Sequence, residues 1–380
     1  MGRALTVFVL LLGVSCVEPY APPISDEQAA AIMVVDGFID GTNNIATVKL
    51  SYATALADKK GTQRIKEAHV WIEDEQQNTI EVPETTTGIY TIHAAFNTQS
   101  KYQLHIDAGT GIEYHSDFVS ILPTPPIDSV TWKADKLDVV MYVSTHDPDN
   151  KTSYFKWDFV ETYEYTAPFE SKVKLVNGEA ISRPLDESIF TCWKSENSLN
   201  ITTTSIEQLG TKVVNGYPIH RLAGDDVKLW RVYSLLVRQQ SLDRDGYIYW
   251  STLKKINQEL GGLFDPMPAE VRGNIHSSNP GERVLGYFSA SEVTEKRMFI
   301  QFYDLPDPIL HLTREKVCGL WIVSLEELKY LGKDILLKDP VTDYYGFLIG
   351  YQAAYEYCLD CRVYRKGTLQ KPDYWPSVTF

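Results

Sequence analysis

The chain of 380 residues is poor in cysteine, with 5 in all, and contains no long apolar run. No stretch reaches the roughly 18 consecutive apolar residues that cross a bilayer, so the sequence holds no readable membrane-spanning helix. Basic residues are in the minority, 36 Lys and Arg against 50 Asp and Glu, for a net charge of −14. A nucleic-acid partner needs a basic face against phosphate, and this balance excludes it. Reaction motifs are missing too: there is no Gly-x-Ser-x-Gly elbow, no His-Glu-x-x-His, no phosphate-binding glycine loop and no dinucleotide fingerprint. The expectation is a protein that is not an enzyme and holds neither cofactor nor metal. The 8 histidines are scattered singly; His69 and His105 fall on strand faces opposite apolar neighbours and read as solvated. Asp147-Pro148-Asp149-Asn150 has oxygen atoms for calcium but lacks the rest of a calcium loop, and reads as a turn.

What is present begins at the amino end. Arg3 supplies a positive charge, residues 4–12 are uncharged and apolar, and Gly13-Val14-Ser15 are small residues before Cys16. That order reads as a removable signal peptide over residues 1–15, with Cys16 as the acylated first residue of the mature chain. An ordinary secretory signal with an incidental Cys16 is the alternative. Two or more acyl chains give lasting membrane attachment. Residues 16–30 carry Pro19, Pro22 and Pro23 without apolar periodicity and form a tether, which spans about 45 Å when extended.

Residues 31–122 read as strand after strand. Val48, Leu50 and Tyr52 alternate with Thr47, Lys49 and Ser51; Tyr102, Leu104 and Ile106 alternate with Gln103 and His105. Period-two segments with turn residues between them predict a half-buried antiparallel sheet, here an immunoglobulin-like sandwich of about seven strands. Pro123-Thr124-Pro125-Pro126 is a stiff break, and residues 126–380 form a larger β-rich domain with a few helices. In it, residues 154–165 make a long strand with Trp157, Phe159, Tyr163 and Tyr165 on one face, and residues 198–205 and 228–240 read as strands. A helix is expected near 241–260, with Tyr247, Trp250, Leu253, Ile256 and Leu260 at helical spacing before Gly261-Gly262. A second short helix is expected from Ser324, which forms a capping-box pattern with Glu327. The fold class is therefore mainly β.

Cys192, Cys318, Cys358 and Cys361 remain after Cys16. An even number in an oxidising compartment reads first as two disulfides, with three connectivities open. A redox pair at Cys358-Leu-Asp-Cys361 is an alternative that Asp360 disfavours, because its charge opposes the thiolate. A zinc site using Cys318 and His311 is another, and it lacks a second close-spaced pair. For recognition the aromatics are better candidates. Tyr344, Tyr345, Phe347, Tyr351, Tyr355 and Tyr357 crowd one stretch, and about half are expected to fill the sheet interior. Phe264 and Asp265, in the turn-dense loop 261–268, are further contact candidates.

Several of these segments resemble one family in order along the chain. They are the Cys16 start, Pro125-Pro126-Ile127-Asp128-Ser129, the strand from Trp157 to Glu164, Cys192-Trp193, and Tyr233-Ser234-Leu235-Leu236-Val237-Arg238-Gln239. They continue with Gly261-Gly262-Leu263-Phe264-Asp265-Pro266, Gly273-Asn274-Ile275, Gly286-Tyr287-Phe288-Ser289-Ala290-Ser291, Cys358-Leu359-Asp360-Cys361 and Lys371-Pro372-Asp373-Tyr374-Trp375. The chain is similar to the exported lipoproteins known as domain of unknown function 4249, from Gram-negative Bacteroidota. It departs from them at Lys366-Gly367-Thr368, where members carry two adjacent glycines. The amino-terminal domain also looks like transthyretin-like sandwiches.

The resemblance carries no catalytic residues. It implies an outer-membrane lipoprotein, lipid-anchored at the cell surface and encoded beside TonB-dependent transporters that import nutrients. The expected function is an accessory or substrate-capturing subunit of such a transporter barrel. A structural envelope assembly or adhesion lipoprotein is the first alternative, and a glycan-active hydrolase built from scattered carboxylates is the second.

Overall fold

In the strand Met33–Asp40, Met33, Val35 and Ile39 are buried while Asp36, Phe38 and Asp40 lie on the opposite, partly exposed face. This is the alternation of a half-buried strand. The computed structural model describes residues 32–53, 63–109, 111–208, 212–256, 271–312 and 318–377. Cys16, the signal peptide, the tether, Phe264 and Asp265 lie outside the described residues. Met33–Asp40 pairs antiparallel with Ile45–Tyr52, which pairs with Ile89–His93, and that with Glu84–Thr86. The facing sheet runs in the order Ile275–Ser277, Glu113–Ser116, Lys101–Asp107, His69–Asp74 and Thr79–Glu81, with Val119–Ser120 as a sixth strand also paired to Lys101–Asp107. Val48, Leu50, Ile72, Leu104, Ile106 and Phe288 fill the space between.

Residues 31–122 do not complete this sandwich by themselves. Ile275–Ser277 closes one edge, and Val284–Ser291 runs parallel to Met33–Asp40 at the edge of the other sheet, with Phe288 fully buried. Local composition places a break at residues 123–126 but carries no signal of strand partners so far downstream. The break is not an exposed spacer either. Thr124 is buried and its hydroxyl donates to the Glu292 carbonyl at 2.6 Å, while the Pro125 carbonyl accepts from Gln239 at 2.7 Å.

The second sandwich has a three-stranded sheet of Ile127–Asp135, Asp138–His146 and Val213–Ala223. Against it lie Thr191–Asn197, Tyr154–Thr166, Val232–Leu242 and Val293–Gln301, with Thr202–Ser205 also paired to Tyr154–Thr166. Trp157, Phe159, Tyr163 and Tyr165 share the buried face, as their spacing predicts. With 51% of the described residues in strands and 12% in helices, the protein is mainly β and built on immunoglobulin-like sandwiches.

Several expected elements are shorter or displaced. The helix spans Arg244–Lys254 and starts at Asp243, whose carboxylate accepts from the Gly246 N–H at 2.7 Å. Residues 241 and 242 end the preceding strand, and the helix buries Gly246 and Tyr249 in place of the predicted stripe, whose last member Leu260 lies, with the Gly261-Gly262 stop, outside the described residues. Helical periodicity was read from large residues alone, whereas Gly246 lets the helix approach Tyr287 closely. Only residues 202–205 of the segment 198–205 are a strand, and a 3-10 turn at Val227–Leu229 precedes Val232–Leu242. The helix expected from Ser324 is one 3-10 turn, Glu327–Tyr330; Ser324 ends a strand, and its N–H and hydroxyl both donate to Glu327 at 2.8 Å. Asp147 to Asn150 is a turn in which the Asp147 carboxylate accepts from the N–H groups of Asp149, Lys151 and Thr152.

A smaller carboxy-terminal unit follows. Trp321–Ser324, Leu348–Tyr355 and Ile335–Thr342 form a sheet that shares a core with the hairpin Val173–Val176 and Glu179–Ser182. Disulfides hold it. Cys361 pairs with Cys192 in the second sandwich, and Cys358 pairs with Cys318, so the close-spaced thiols bind elsewhere and form neither a redox pair nor a zinc site. The tail then lies on the outer face of the second sandwich: the Trp375 indole donates to Glu164 at 2.9 Å, and Arg297 sits 3.7 Å over the Tyr374 ring.

Gly286 meets a requirement no other residue fits. Its φ is +151°, and a Cβ there would lie 2.3 Å from the Val35 carbonyl oxygen. Gly286→Ala is expected to lower stability by about 3 kcal/mol, through backbone strain and overpacking at the parallel pair; thermal and urea unfolding measure it. The Cys192–Cys361 bond closes a span of 169 residues, and a double Cys192→Ala, Cys361→Ala variant is expected to lose about 4 kcal/mol in urea unfolding.

Candidate functional site

A cleft of about 600 Å³ opens between the two sandwiches. Its first wall is the outward face of the strands that bury Val35 and Val48: Asp36, Phe38, Asp40, Thr47 and Lys49. The second is the outward face of the larger sheet, with Lys156, Asp158, Arg238 and Gln240. Trp250 of the helix and the loop 197–201 complete it, and Leu199 in that loop is 97% exposed. Strand alternation is what aims these polar groups inward, because the opposite faces are committed to two separate cores.

Charges of both signs line the cleft. Lys49 binds Asp36 at 3.0 Å, and Arg238 binds Glu295 at 2.7 Å. Asp40 accepts from the N–H groups of Thr42 and Asn43. Lys156 lies 4.3 Å over the Trp250 ring, a cation–π contact. Asp158 stands opposite Arg238 in the strand register, and its charge favours the protonated guanidinium there. Such a cleft offers hydrogen bonds, both charges and an aromatic ring to a small polar ligand. None of these residues is a site candidate in the sequence; Thr47 and Lys49 stand out there only as the polar half of an alternating strand, and Trp250 only as part of a helical stripe.

Beside the cleft, an ion network joins the two sheets of the second sandwich. Glu161, 5% exposed, accepts from Lys228 at 3.0 Å, from the Tyr233 hydroxyl at 3.0 Å and from His220 at 3.2 Å. Lys228 also reaches Glu196 at 3.0 Å, and Lys194 reaches Glu196 at 2.7 Å. Burial acts to raise the Glu161 carboxyl, but His220 and then Lys228 outweigh it and hold the group below the usual range. Burial likewise opposes ionisation of Glu196, and the hydrogen bonds of Lys194 and Lys228 bring it down to about 2. Burial pushes the Tyr233 phenol well up, aided by the Glu161 charge. Each charge has a partner, which makes the network a brace between sheets.

The aromatic candidates lie elsewhere, at the tip joining Ile335–Thr342 and Leu348–Tyr355. Tyr344, Tyr345 and Phe347 are 97%, 81% and 71% exposed. The turn beneath them is ordered: the Asp343 carboxylate accepts from the N–H groups of Tyr345 at 2.9 Å and Phe347 at 2.8 Å, and Gly346 takes a φ of +88°. Of the six aromatics, only Tyr351 enters the core, so fewer are interior than expected. Tyr355 and Tyr357 are half-exposed and stack on one another at 6.0 Å. The carboxy-terminal sheet has only three strands, too few to bury that many rings.

Lowered carboxyl pKa values stabilise the fold above the carboxylate range and lose that contribution as pH falls. For Glu196 the loss runs from about 4.5 to about 2. Lys228→Met leaves Glu161 buried with less compensation, so we expect a loss of about 3 kcal/mol at neutral pH. The same variant should show a shallower fall of stability between roughly pH 5 and pH 2. Urea unfolding across that pH range measures both.

A family model described as Domain of unknown function (DUF4249) matches residues 17–297. The match covers the strands of both sandwiches except the end of Val293–Gln301 and stops before the carboxy-terminal unit, so Cys358, Cys361 and the Tyr374-Trp375 tail lie beyond it. No curated protein matches the chain. Among solved structures, a segment of two fibronectin type III domains from chicken tenascin is 10% identical, with a TM-score of 0.16, covering 55% of this chain and 89% of that one. A protein from Bacteroides uniformis ATCC 8492, provisionally described as carbohydrate binding, is 12% identical with a TM-score of 0.13, covering 57% and 92%. At those scores neither likeness carries an argument about function, and the architecture stands on its own strand pairing. The family match spans well over half of the sequence: the chain belongs to the family described as domain of unknown function 4249.

Proposed function

We propose that the protein is a surface-exposed outer-membrane lipoprotein that serves, without catalysis, as the accessory or substrate-capturing subunit of a TonB-dependent transporter. The observation that carries this reading is the tip of Tyr344, Tyr345 and Phe347, three aromatic side chains held in solvent by an ordered turn. Keeping such groups exposed forfeits their burial, and exposed Tyr with preset backbone is what protein contact surfaces use. The cleft between the sandwiches supports the capturing role, since its mixed charges fit a small polar nutrient. The transporter as partner follows from what the family resemblance implies, and the lipid anchor from the Cys16 motif. A ligand held between lipoprotein and barrel favours the closed arrangement by its differential affinity for that state.

Purification from native membranes is expected to recover a barrel with this chain; a clean monomer counts against the proposal. The triple variant Tyr344→Ser, Tyr345→Ser, Phe347→Ser should keep the unfolding midpoint of the parent while losing at least about tenfold in barrel recovery, given the energies of aromatic contact residues. Asp36, Asp40 and Asp158 in one cleft favour a second reading, a glycan-active hydrolase. Turnover of an oligosaccharide panel that disappears in Asp158→Asn would establish it in place of the first.

A further inference from the structure

Aromatic rings run across the outer face of the first sandwich's six-stranded sheet. His69 stacks on Trp71 at 4.6 Å and Trp71 on His105 at 5.0 Å; His105 and His115 are 6.4 Å apart, and His115 and His276 are 5.6 Å apart. The register explains the line: His105 stands directly opposite His115, and His115 directly opposite His276. His276 comes with the distant strand Ile275–Ser277, so no local reading of the sequence assembles the set. His105, expected to be solvated, is instead half-covered.

We propose that His105, His115 and His276 form a surface site for a transition-metal dication of the zinc, copper(II) or nickel(II) class. Imidazole nitrogen is the donor these metals favour, whereas calcium and magnesium take oxygen. With metal–nitrogen bonds of about 2.0–2.1 Å, two imidazoles on one ion place their ring centres roughly 4.5–5.2 Å apart at right or tetrahedral angles, so His115 and His276 at 5.6 Å stand close to that spacing and His105 at 6.4 Å has to draw nearer. Among the described residues no three metal-binding groups converge on one point as they stand, so binding turns the rings. Directly opposed residues on neighbouring strands have Cβ atoms about 4.5–5.5 Å apart, which leaves each neighbouring pair within reach; His105 and His276, two strands and roughly 10 Å apart, meet only by leaning in from either side of His115.

Two further observations point the same way. His105 Nε2 is shielded from solvent and has no hydrogen-bond partner; the Glu73 carboxylate is 3.9 Å away, beyond bonding distance. A buried nitrogen in that state is unsatisfied until something ligates it. His276 Nε2 pairs with Asp117 at 2.9 Å, which fixes its ring and leaves Nδ1 as the donor, the carboxylate–histidine arrangement of metal sites. The site lies away from the aromatic tip and the cleft, and it stands whether or not the protein docks on a transporter.

The tag-free full chain, titrated with zinc, nickel and copper(II) salts by calorimetry, tests the proposal. One equivalent is expected to bind, and the copper(II) form should show nitrogen hyperfine coupling from at least two imidazoles in its paramagnetic resonance spectrum. His115→Gln with His276→Gln should weaken binding at least about tenfold, and Asp117→Asn by about tenfold through loss of the supporting carboxylate. His93→Gln, an exposed histidine outside the line, should change nothing. Affinity within about twofold of the parent in the double variant, or a copper spectrum without nitrogen coupling, would overturn the site. The spectrum of the unaltered chain decides the matter even if a variant fails to fold.

Discussion

The parallel pairing of Val284–Ser291 with Met33–Asp40 is the constraint from which the rest of the arrangement follows. After Ser291 only Glu292 intervenes before Val293–Gln301 enters the second sandwich as an edge strand. One nearly continuous segment therefore belongs to two cores. Hydrogen bonds lock the crossing: Gly41 N–H to Ser291, Glu292 N–H to Leu122, and the Thr42 hydroxyl to Val293. Tyr287 adds a hydroxyl bond to Asp243 at 3.0 Å and stacks on Tyr249 of the helix. Because the walls of the cleft come one from each sandwich, the crossing sets its width. A pair of domains joined only by a flexible linker would have no such fixed opening.

What the sequence made legible was what adjacent residues decide. Alternation exposed the strands and their buried faces, including the run of Trp157, Phe159, Tyr163 and Tyr165, and cysteine number pointed to disulfides. Which strand joins which sheet was not legible, because pairing depends on residues far apart and leaves no local trace. For the same reason the cleft and the row of histidines were invisible: each draws side chains from several elements far apart along the chain, most of them ordinary polar residues. The aromatic tip was legible as composition, yet its exposure depended on how thin the underlying sheet proved to be.

Polar groups do much of the specifying here. The outer face of Tyr154–Thr166 is open at Lys156 and Asp158, where the cleft lies, and covered at Thr162 and Glu164 by the Tyr374-Trp375 tail. Arg231 completes the covered end with a 2.5 Å contact to Glu164. Residues 366–368 show how a tight turn is held with one glycine. Lys366 adopts a left-handed φ of +60°, a conformation glycine takes without strain, while Gly367 is pressed against the Tyr165 hydroxyl, where a Cβ would sit 2.4 Å away. The turn keeps its shape with one glycine because only the second position is crowded.

Completion of the first sandwich by residues 275–291 also reverses the usual order of events on synthesis. The segment made first must wait for strands made much later, and until they arrive Met33–Asp40 presents a row of unsatisfied amides and carbonyls along a bare sheet margin. Fragments ending before residue 275 would carry that adhesive margin permanently. The amino-terminal module, although it has a core of its own, is thus not a portable part, and cutting the gene at the proline-rich break would yield a sticky half-structure.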